Sequence, residues 1–374
     1  MSLRQRLVAV AVAVGLSVAS FAASPATAAP THPTTVQQAS DYIAAEAKAG
    51  KITKSGDVAN AILALAASQS HQDVTLNLLA TLKKQAADYA DENAGGAGLL
   101  MIVADTMGVD PTNFGGANLP AVVKSEFAVD PDLEYFFKFG LAVIGMQRAG
   151  QPIPDAMVTR LFDYQFADGG FGFAFDGKQT SSPDETAIGI MALSHLPKSE
   201  ARDAALSKAF TWAEKNKTAQ GFWTNYSPAN TTGLMASAYL DGGREPTAAI
   251  NWLVAQQKLT KKGWSNTLNG TESNVMATVQ ALLPVAGVGL YTVTFVPAAQ
   301  PTTKPTTSAT ATATATATES TSATASASAT ASPSATAPAK PGLPHTGADG
   351  DGPAIILGLG VLLTASAAAA KALA

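Results

Sequence analysis

Six stretches of small and apolar residues recur along the chain, and each is paired with a more polar, amphipathic stretch. Their apolar residues return at three- and four-residue intervals, which is the spacing of an α-helix rather than of a strand. The period of about 38 to 47 residues is typical of stacked helical hairpins. The sequence therefore predicts an all-α fold of six hairpins, arranged as an open solenoid or as a closed ring. The six stretches are NAILALAASQ, GLLMIVADTMG, GLAVIGMQRAG, AIGIMAL, TGLMASAYL and NVMATVQALL.

A glycine-rich aromatic stretch precedes the fourth of these segments. YQFADGGFG, at positions 164–172, leads into SPDETAIGIMAL, and KTAQGFW and QQKLTKKGW are weaker copies of it. These stretches resemble the QxxDGGFG repeat, and the helix opening that follows it, of terpenoid cyclases and related prenyltransferase repeat proteins, over about residues 135–287. The resemblance implies an (α/α)6 toroid for residues 34–295, with inner helices around a central cavity.

The glycine-rich turn itself is interpreted as structural. Gly169 and Gly170 let the chain reverse between two helices, and Phe171 is expected to fill the gap between neighbouring repeats. A dinucleotide-binding loop is excluded because the glycine spacing differs and no strand is predicted before it.

One acid pair requires a choice between a catalytic and a structural role. The resemblance to squalene cyclases, whose DxDDTA motif carries the general acid, places Asp184 at the acid's position when the chain is matched on Thr186. Ser182 stands where that motif has its first aspartate, and Glu185 where it has its last. Ser182 or Asp184 could instead cap a helix, whose positive end would also favour Glu185. We favour the capping interpretation.

If the hairpins close into a ring, the polar starts of the inner helices meet at one mouth of its cavity, beside aromatic side chains. Polar anchors on an apolar wall are the usual composition of a ligand pocket. For each aromatic residue, packing between repeats remains an alternative. The candidate lining residues are Asp184, Glu185, Thr186, Asn230, Thr231, Glu272, Asn274, Phe173, Trp223, Tyr226 and Trp264.

Residue composition excludes several functional classes. The chain has no cysteine, so it can form neither a disulfide nor a thiolate metal site, and its four histidines are scattered. A formal net charge of −4 gives no basic surface for nucleic acid. We therefore expect no metal, no cofactor and no nucleic-acid partner.

The first 28 residues have the order of a secretory signal peptide. Arg4 and Arg6 precede an uncharged apolar run, and Ala26-Thr27-Ala28 offers a cleavage site of small residues. An N-terminal membrane anchor is the alternative, but the apolar run is short for one.

The other end carries LPHTG, which consists of Leu343, Pro344, His345, Thr346 and Gly347. A polar spacer, an uncharged apolar segment over residues 354–370 and a lysine follow it. This order resembles the sorting signal that sortase recognises on Gram-positive surface proteins. The resemblance implies that the sortase thiolate attacks the carbonyl of Thr346 and that a peptidoglycan amine then resolves the acyl intermediate. A plain tail anchor and a lipid-anchor signal remain alternatives.

Residues 296–342 are almost entirely Thr, Ala, Ser and Pro, a composition that cannot bury enough apolar surface to fold. They are predicted to form a disordered stalk. The whole sequence thus predicts an extracellular, cell-wall-anchored protein whose toroid binds an apolar ligand or a surface partner. The alternatives are a degenerate terpenoid cyclase-like enzyme that uses Asp184 as general acid, and a purely structural surface protein.

Overall fold

The structure, a computed structural model, describes residues 31–297. The predicted signal peptide (1–28), the sorting motif (343–347), the apolar segment (354–370) and nearly all of the predicted stalk (296–342) lie outside these residues. Within them the chain forms α-helices and one short β-hairpin, so the all-α class is confirmed. The helices are α1 Pro33–Lys48, α2 Ser55–Ser68, α3 Gln72–Ala90, α4 Ala94–Thr106, α5 Leu119–Val129, α6 Phe136–Arg148, α7 Asp155–Asp163, α8 Pro183–Ser194, α9 Glu200–Lys215, α10 Pro228–Asp241, α11 Thr247–Thr260 and α12 Val275–Val285.

The six small-residue segments form α2, α4, α6, α8, α10 and α12, which we call the core helices. Each core helix packs against the next one along the chain, and α12 packs back against α2. They are buried on almost every side, as expected for helices that are apolar all round. The other helices flank them: α3, α5, α9 and α11 each pack on the core helix that precedes them, and α1 packs on α12.

Small residues allow the core helices to approach closely. At the crossing of α4 and α6, a Cβ atom added to Gly98 would lie 2.4 Å from the carbonyl oxygen of Leu141. One added to Gly145 would lie 2.4 Å from the carbonyl oxygen of Gly98. The two backbones are therefore in direct contact, and any larger side chain here would push the helices apart.

The aromatic residue of each glycine-containing turn is fixed to the following core helix by a threonine. In each case the threonine hydroxyl accepts a hydrogen bond from the backbone N–H of the aromatic residue. The three threonines are equally spaced in the sequence, so this bond marks one structural position in three successive repeats. The pairs are Phe171 with Thr186 (3.0 Å), Trp223 with Thr232 (3.2 Å) and Trp264 with Thr278 (2.9 Å).

We expect Thr232→Val, which keeps the shape but removes the hydroxyl, to lower the free energy of unfolding by about 1–2 kcal/mol. The Thr232 hydroxyl also donates to the carbonyl of Trp223 at 3.1 Å, so both backbone groups of a buried residue lose a partner. Chemical denaturation would measure the loss. Thr211→Val is the control, because this exposed hydroxyl bonds only within its own helix. Equal losses in the two variants would contradict the proposed role of the repeated threonine.

The interpretation of the glycine-rich turn is confirmed. Gly169 has a φ of 93°, which glycine adopts without strain. Phe171 is fully buried, and its ring stacks on that of Phe136 in α6 with centroids 4.7 Å apart. The ring occupies the space left by the missing side chain of Gly189 in α8, because a Cβ atom there would lie 2.4 Å from it. Phe171 therefore fills the gap between two core helices.

A β-hairpin that the sequence analysis did not predict follows this turn. Strands β1 (Gly172–Phe175) and β2 (Lys178–Ser181) pair in antiparallel fashion. Asp176 and Gly177 connect them with φ values of 51° and 72°. Asp-Gly is a strong signal for a two-residue hairpin turn, and the short flanking strands obscured it.

A final segment, residues 287–297, crosses the C-terminal ends of the core helices, and we call it the C-terminal strap. It contacts the end of each of the five earlier core helices. Its partners are Gln69 after α2, Thr106 in α4, Arg148 in α6, His195 after α8 and Asp241 in α10. The strap therefore covers one end of the group of core helices.

Arg148 makes the most extensive of these contacts. Its guanidinium donates to the carboxylate of Asp105 at 2.8 Å, to the carbonyl of Leu290 at 2.8 Å and to the carbonyl of Val293 at 2.7 Å. Burial lowers the pKa of Arg148, and the negative charges of Asp105 and Asp241 oppose that shift. A planar group with several fixed donors is suited to this arrangement.

Candidate functional site

The space between the core helices is small. It is lined by at least one residue from every core helix and by Leu290 of the strap. The volume open to the centre of a water molecule is about 30 Å³, which is room for about two waters. Pockets for organic ligands of moderate size are typically about 300–1,000 Å³. Among the residues that the structure describes, this space is therefore too small for a long polyprene chain.

The N-terminal ends of the core helices, at the other end from the strap, carry a group of polar side chains. At the start of α8, the Ser182 hydroxyl accepts a hydrogen bond from the backbone N–H of Asp184 at 3.3 Å and donates one to the carboxylate of Glu185. Ser182 is therefore the N-cap of this helix, as the capping interpretation predicts. The carboxyl group of Asp184 does not cap the helix and is directed elsewhere.

Asp184 faces the start of α10. Its Oδ2 accepts a hydrogen bond from the side-chain amide of Asn225 at 2.7 Å, whereas its Oδ1 is shut off from solvent and has no partner among residues 31–297. The hydroxyl of Thr231 lies close enough to influence this carboxyl group. Thr231 is fully buried, and its hydroxyl forms no well-directed hydrogen bond with any described residue. The Thr231 hydroxyl carries the one O–H donor beside Asp184 Oδ1.

The pKa values of both acids at the start of α8 are raised. Burial raises the pKa of Asp184, and hydrogen bonds from Asn225 and Thr231 only partly oppose that rise. Burial, and then the negative charge of Asp184, raise the pKa of Glu185 to about 7. Raised pKa values in two adjacent carboxyl groups are more frequent at functional sites than elsewhere.

Two tyrosines flank the acid pair. Tyr226, in the loop before α10, is 47% exposed, and burial followed by the charges of Glu185 and Asp184 raises its pKa. Tyr135 immediately precedes α6, and its pKa is raised by burial and then by the charges of Glu134 and Glu185. The Tyr135 hydroxyl is buried without a partner in the described part of the chain.

The same polar surface continues to the start of α2. Tyr89, at the end of α3, interacts electrostatically with Tyr135 and with Asp57 in the first turn of α2. The Tyr89 hydroxyl and the Asp57 Oδ1 are also buried and unpaired within residues 31–297. We call the whole group the polar mouth. It consists of Asp57, Tyr89, Tyr135, Asp184, Glu185, Asn225, Tyr226 and Thr231.

Several of the predicted lining residues have packing roles instead. Trp223 and Trp264 are buried, and their indole N–H groups donate to the backbone carbonyls of Ala213 (2.8 Å) and Leu253 (2.7 Å). Thr186 is bonded to Phe171 in the repeated arrangement described above. These three side chains hold neighbouring elements together, so the packing alternative describes them better than a ligand wall does.

The remaining candidates are distributed around the starts of α10 and α12 and in the hairpin. Asn274 caps α12 by accepting a hydrogen bond from the backbone N–H of Ala277 at 3.0 Å. Glu272 is exposed, Asn230 is partly buried in the first turn of α10, and Phe173 is partly buried in β1. The structure thus brings Asp184, Glu185, Thr231 and Tyr226 together.

Sequence reasoning missed Asp57, Tyr89, Tyr135 and Asn225. Tyr135 and Asp57 occupy cap or first-turn positions of core helices, so comparing those positions across all six repeats could have identified them. Asn225 lies in the loop before α10, and no local pattern marks it. Tyr89 belongs to a flanking helix, and only the packing of α3 brings it to the mouth.

Among the residues that the structure describes, no group of three or more His, Cys, Asp or Glu side chains is placed to hold a metal ion. No helix within residues 31–297 is long and apolar enough to cross a membrane. No protein-family model matches the chain, and no curated protein shows significant similarity to it.

Proposed function

We propose that residues 34–295 form an (α/α)6 toroid in which the core helices are the inner wall. The packing order supports this arrangement, because each core helix contacts the next and α12 contacts α2. The strap touches the C-terminal ends of five core helices, and the polar mouth gathers the starts of several of them, as expected if the core helices run in the same direction around a common axis.

We further propose that this toroid is a ligand- or partner-binding module of a secreted, cell-wall-anchored surface protein. The observation that carries the proposal is the polar mouth, where buried polar oxygens of Asp57, Tyr135 and Tyr89 have no hydrogen-bond partner among residues 31–297. Leaving such atoms unpaired costs about 1–3 kcal/mol each, and a bound ligand would recover that energy. The anchoring rests on the signal-peptide and LPHTG patterns of the sequence.

The binding proposal can be tested by purifying the mature protein from its envelope, denaturing it and identifying the released small molecules by mass spectrometry. A stoichiometric ligand that is absent when Asp184→Asn is purified in the same way would support binding at the polar mouth. A ligand that is retained equally by both proteins would place the binding site elsewhere. Protein that is always recovered without ligand, and that captures no partner, would favour a structural surface protein.

For the anchoring, we expect Thr346→Ala to move the protein from the cell-wall fraction to the membrane or the medium. The acyl intermediate would form at Thr346, and the changed motif would no longer fit the sortase. Immunoblotting of cell fractions measures the redistribution. Thr364→Ala, in the apolar segment beyond the motif, is the control and should leave the protein in the wall. An unchanged distribution of Thr346→Ala would contradict sortase anchoring.

The alternative function is that of a terpenoid cyclase-like enzyme with Asp184 as general acid. Its supporting observation is the raised pKa of Asp184, which favours the protonated form that an acid needs. The opposing observation is the central volume of about 30 Å³. Incubation with squalene separates the two functions: a cyclised product that disappears in Asp184→Asn would establish the enzyme.

A further inference from the structure

Three polar side chains line the small space between the core helices. They are Asn60 of α2, Ser237 of α10 and Gln280 of α12, and all other residues around this space are aliphatic or aromatic. Each of the three is more than nine-tenths buried, with exposed fractions of 8%, 2% and 7%. Polar groups that are withdrawn from bulk solvent in this way need hydrogen-bond partners inside the protein.

Gln280 has no such partner in the described part of the chain. Its Oε1 is shut off from solvent and accepts no hydrogen bond from residues 31–297. Rotating the amide by half a turn exchanges its oxygen and its nitrogen, so a molecule in the central space can meet either an acceptor or an N–H donor. An unpaired buried amide is costly, and Gln280 therefore indicates that a polar molecule occupies this space.

Asn60 and Ser237 offer further hydrogen-bonding groups to the same space. The side-chain N–H of Asn60 donates to the carbonyl of Gly56 at 2.8 Å, one turn earlier in α2. This bond fixes the amide and leaves its oxygen as the remaining acceptor. The Ser237 hydroxyl can both donate and accept. Together with Gln280, these groups supply the roughly three partners that a buried water molecule typically has.

Size and charge restrict what the space can hold. About 30 Å³ is open to the centre of a water molecule, which is room for about two waters and too little for an organic ligand of moderate size. No charged residue lines the space, so an ion would be buried there without a counter-charge. An apolar atom would leave the amide of Gln280 unpaired. Water is small enough, is neutral, and both donates and accepts hydrogen bonds.

We propose that the central space binds about two ordered water molecules, which Gln280, Asn60 and Ser237 share. α12 and α2 are the last and the first core helices, and they pack directly against each other. The bound water therefore connects the two helices at which the group of core helices closes. Leu290 of the strap also lines the space, so the strap helps to enclose the water. This site is independent of binding at the polar mouth.

The shared water also restricts how α12 lies against α2. A shift of α12 by one residue turns Gln280 by about 100° around the helix axis, away from the central space. Its amide would then be buried among apolar side chains without a partner, which is unfavourable. A polar residue at one position of an apolar helix interface selects a single register in this way.

The test counts the long-lived water molecules of the mature full-length protein by magnetic relaxation dispersion of the water oxygen, which separates enclosed waters from surface waters by their slower exchange. In Gln280→Met the side chain keeps a similar length but has no strong hydrogen-bonding group. We expect this variant to hold about two fewer long-lived waters than the wild type. Gln37→Met, which replaces an exposed glutamine of α1, is the matched control and should show the wild-type number.

Equal numbers in the wild type and Gln280→Met would overturn the proposal. Nuclear Overhauser effects provide a second measurement: the side-chain amide protons of Gln280 should contact long-lived water, whereas those of Gln37 should contact only rapidly exchanging water. The absence of the Gln280 contact would likewise contradict the site. A small organic molecule released on denaturation from the wild type, but not from Gln280→Met, would show that the space holds another ligand.

Circular dichroism shows whether each variant is folded. If Gln280→Met does not fold, Ser237→Ala gives the result, because it removes one partner of the water without adding bulk. We expect Ser237→Ala to shorten the residence time of the enclosed water by several fold. An unchanged residence time would show that Ser237 does not share the water and would contradict the proposed site. Ligand loss in Asp184→Asn, by contrast, concerns the polar mouth alone, so the two proposals fail separately.

Discussion

Replacing Trp264 with alanine is expected to lower the free energy of unfolding by about 3–5 kcal/mol. The side chain is fully buried between α11 and α12, and its indole N–H donates to the carbonyl of Leu253. Its backbone N–H is held by the hydroxyl of Thr278 at 2.9 Å, and its carbonyl accepts the N–H of Asn274 at 2.7 Å. The surroundings are therefore fixed and cannot collapse into the space that the indole leaves. Denaturant unfolding measured by circular dichroism gives the loss.

Trp252→Ala is the control for this prediction. Trp252 lies on α11 and stacks on Phe222 with ring centroids 4.4 Å apart, but it is only partly buried, so we expect a loss of about 1–2 kcal/mol. Trp264→Phe separates the indole hydrogen bond from the packing. If Trp264→Ala cost no more than Trp252→Ala, the turn aromatic would not be a principal packing residue of the repeat.

Replacing Arg148 with methionine is expected to cost about 2–4 kcal/mol and to release the C-terminal strap. The substitution keeps much of the apolar stem but leaves the carbonyls of Leu290 and Val293 without their charged donor. Because Arg148 is buried, water does not readily replace the guanidinium. Denaturant unfolding measures the stability, and limited proteolysis followed by mass spectrometry measures cleavage within residues 287–297.

Arg160→Met is the matched control, since the ion pair of Arg160 with Asp132 is at the surface. Exposed pairs contribute about 1 kcal/mol or less, so this variant should resemble the wild type in both assays. Arg148→Lys is informative as well, because a lysine cannot reach three fixed acceptors with one planar group. A strap that stays protected in Arg148→Met would show that the other contacts hold it without the guanidinium.

The sequence predicted the core helices well because their signal is local. Runs such as NAILALAASQ and GLLMIVADTMG are apolar on every side, and the structure buries them as α2 and α4. The N-cap role of Ser182 was predictable for the same reason, since a cap depends only on residues within one turn. The role of Phe171 followed from the glycines beside it.

Other features depend on contacts between distant parts of the chain. The strap, residues 287–297, has no strong pattern of its own, and its contacts with Gln69, Thr106 and Arg148 span most of the described sequence. In the candidate site, the sequence identified the acid pair, Thr231 and Tyr226. It could not identify Asn225 or Tyr89, since only tertiary packing brings them to Asp184 or to Tyr135.

The strap also determines how the domain would respond to a pulling force applied at its C-terminal end. Residue 297, where the described structure ends, lies on the strap, and the predicted stalk continues from it. The polar mouth is at the other end of helices such as α8, whose 12 residues span about 18 Å. In a protein anchored as proposed, tension from the wall would enter through the strap and act first on the bonds of Val296 with Gln69 and of Phe295 with Thr106. The bonds of Arg148 with Val293 and Leu290 would follow, and the polar mouth would point outward. In that arrangement, the attachment most exposed to mechanical force and the surface available to the environment would lie at opposite ends of the domain.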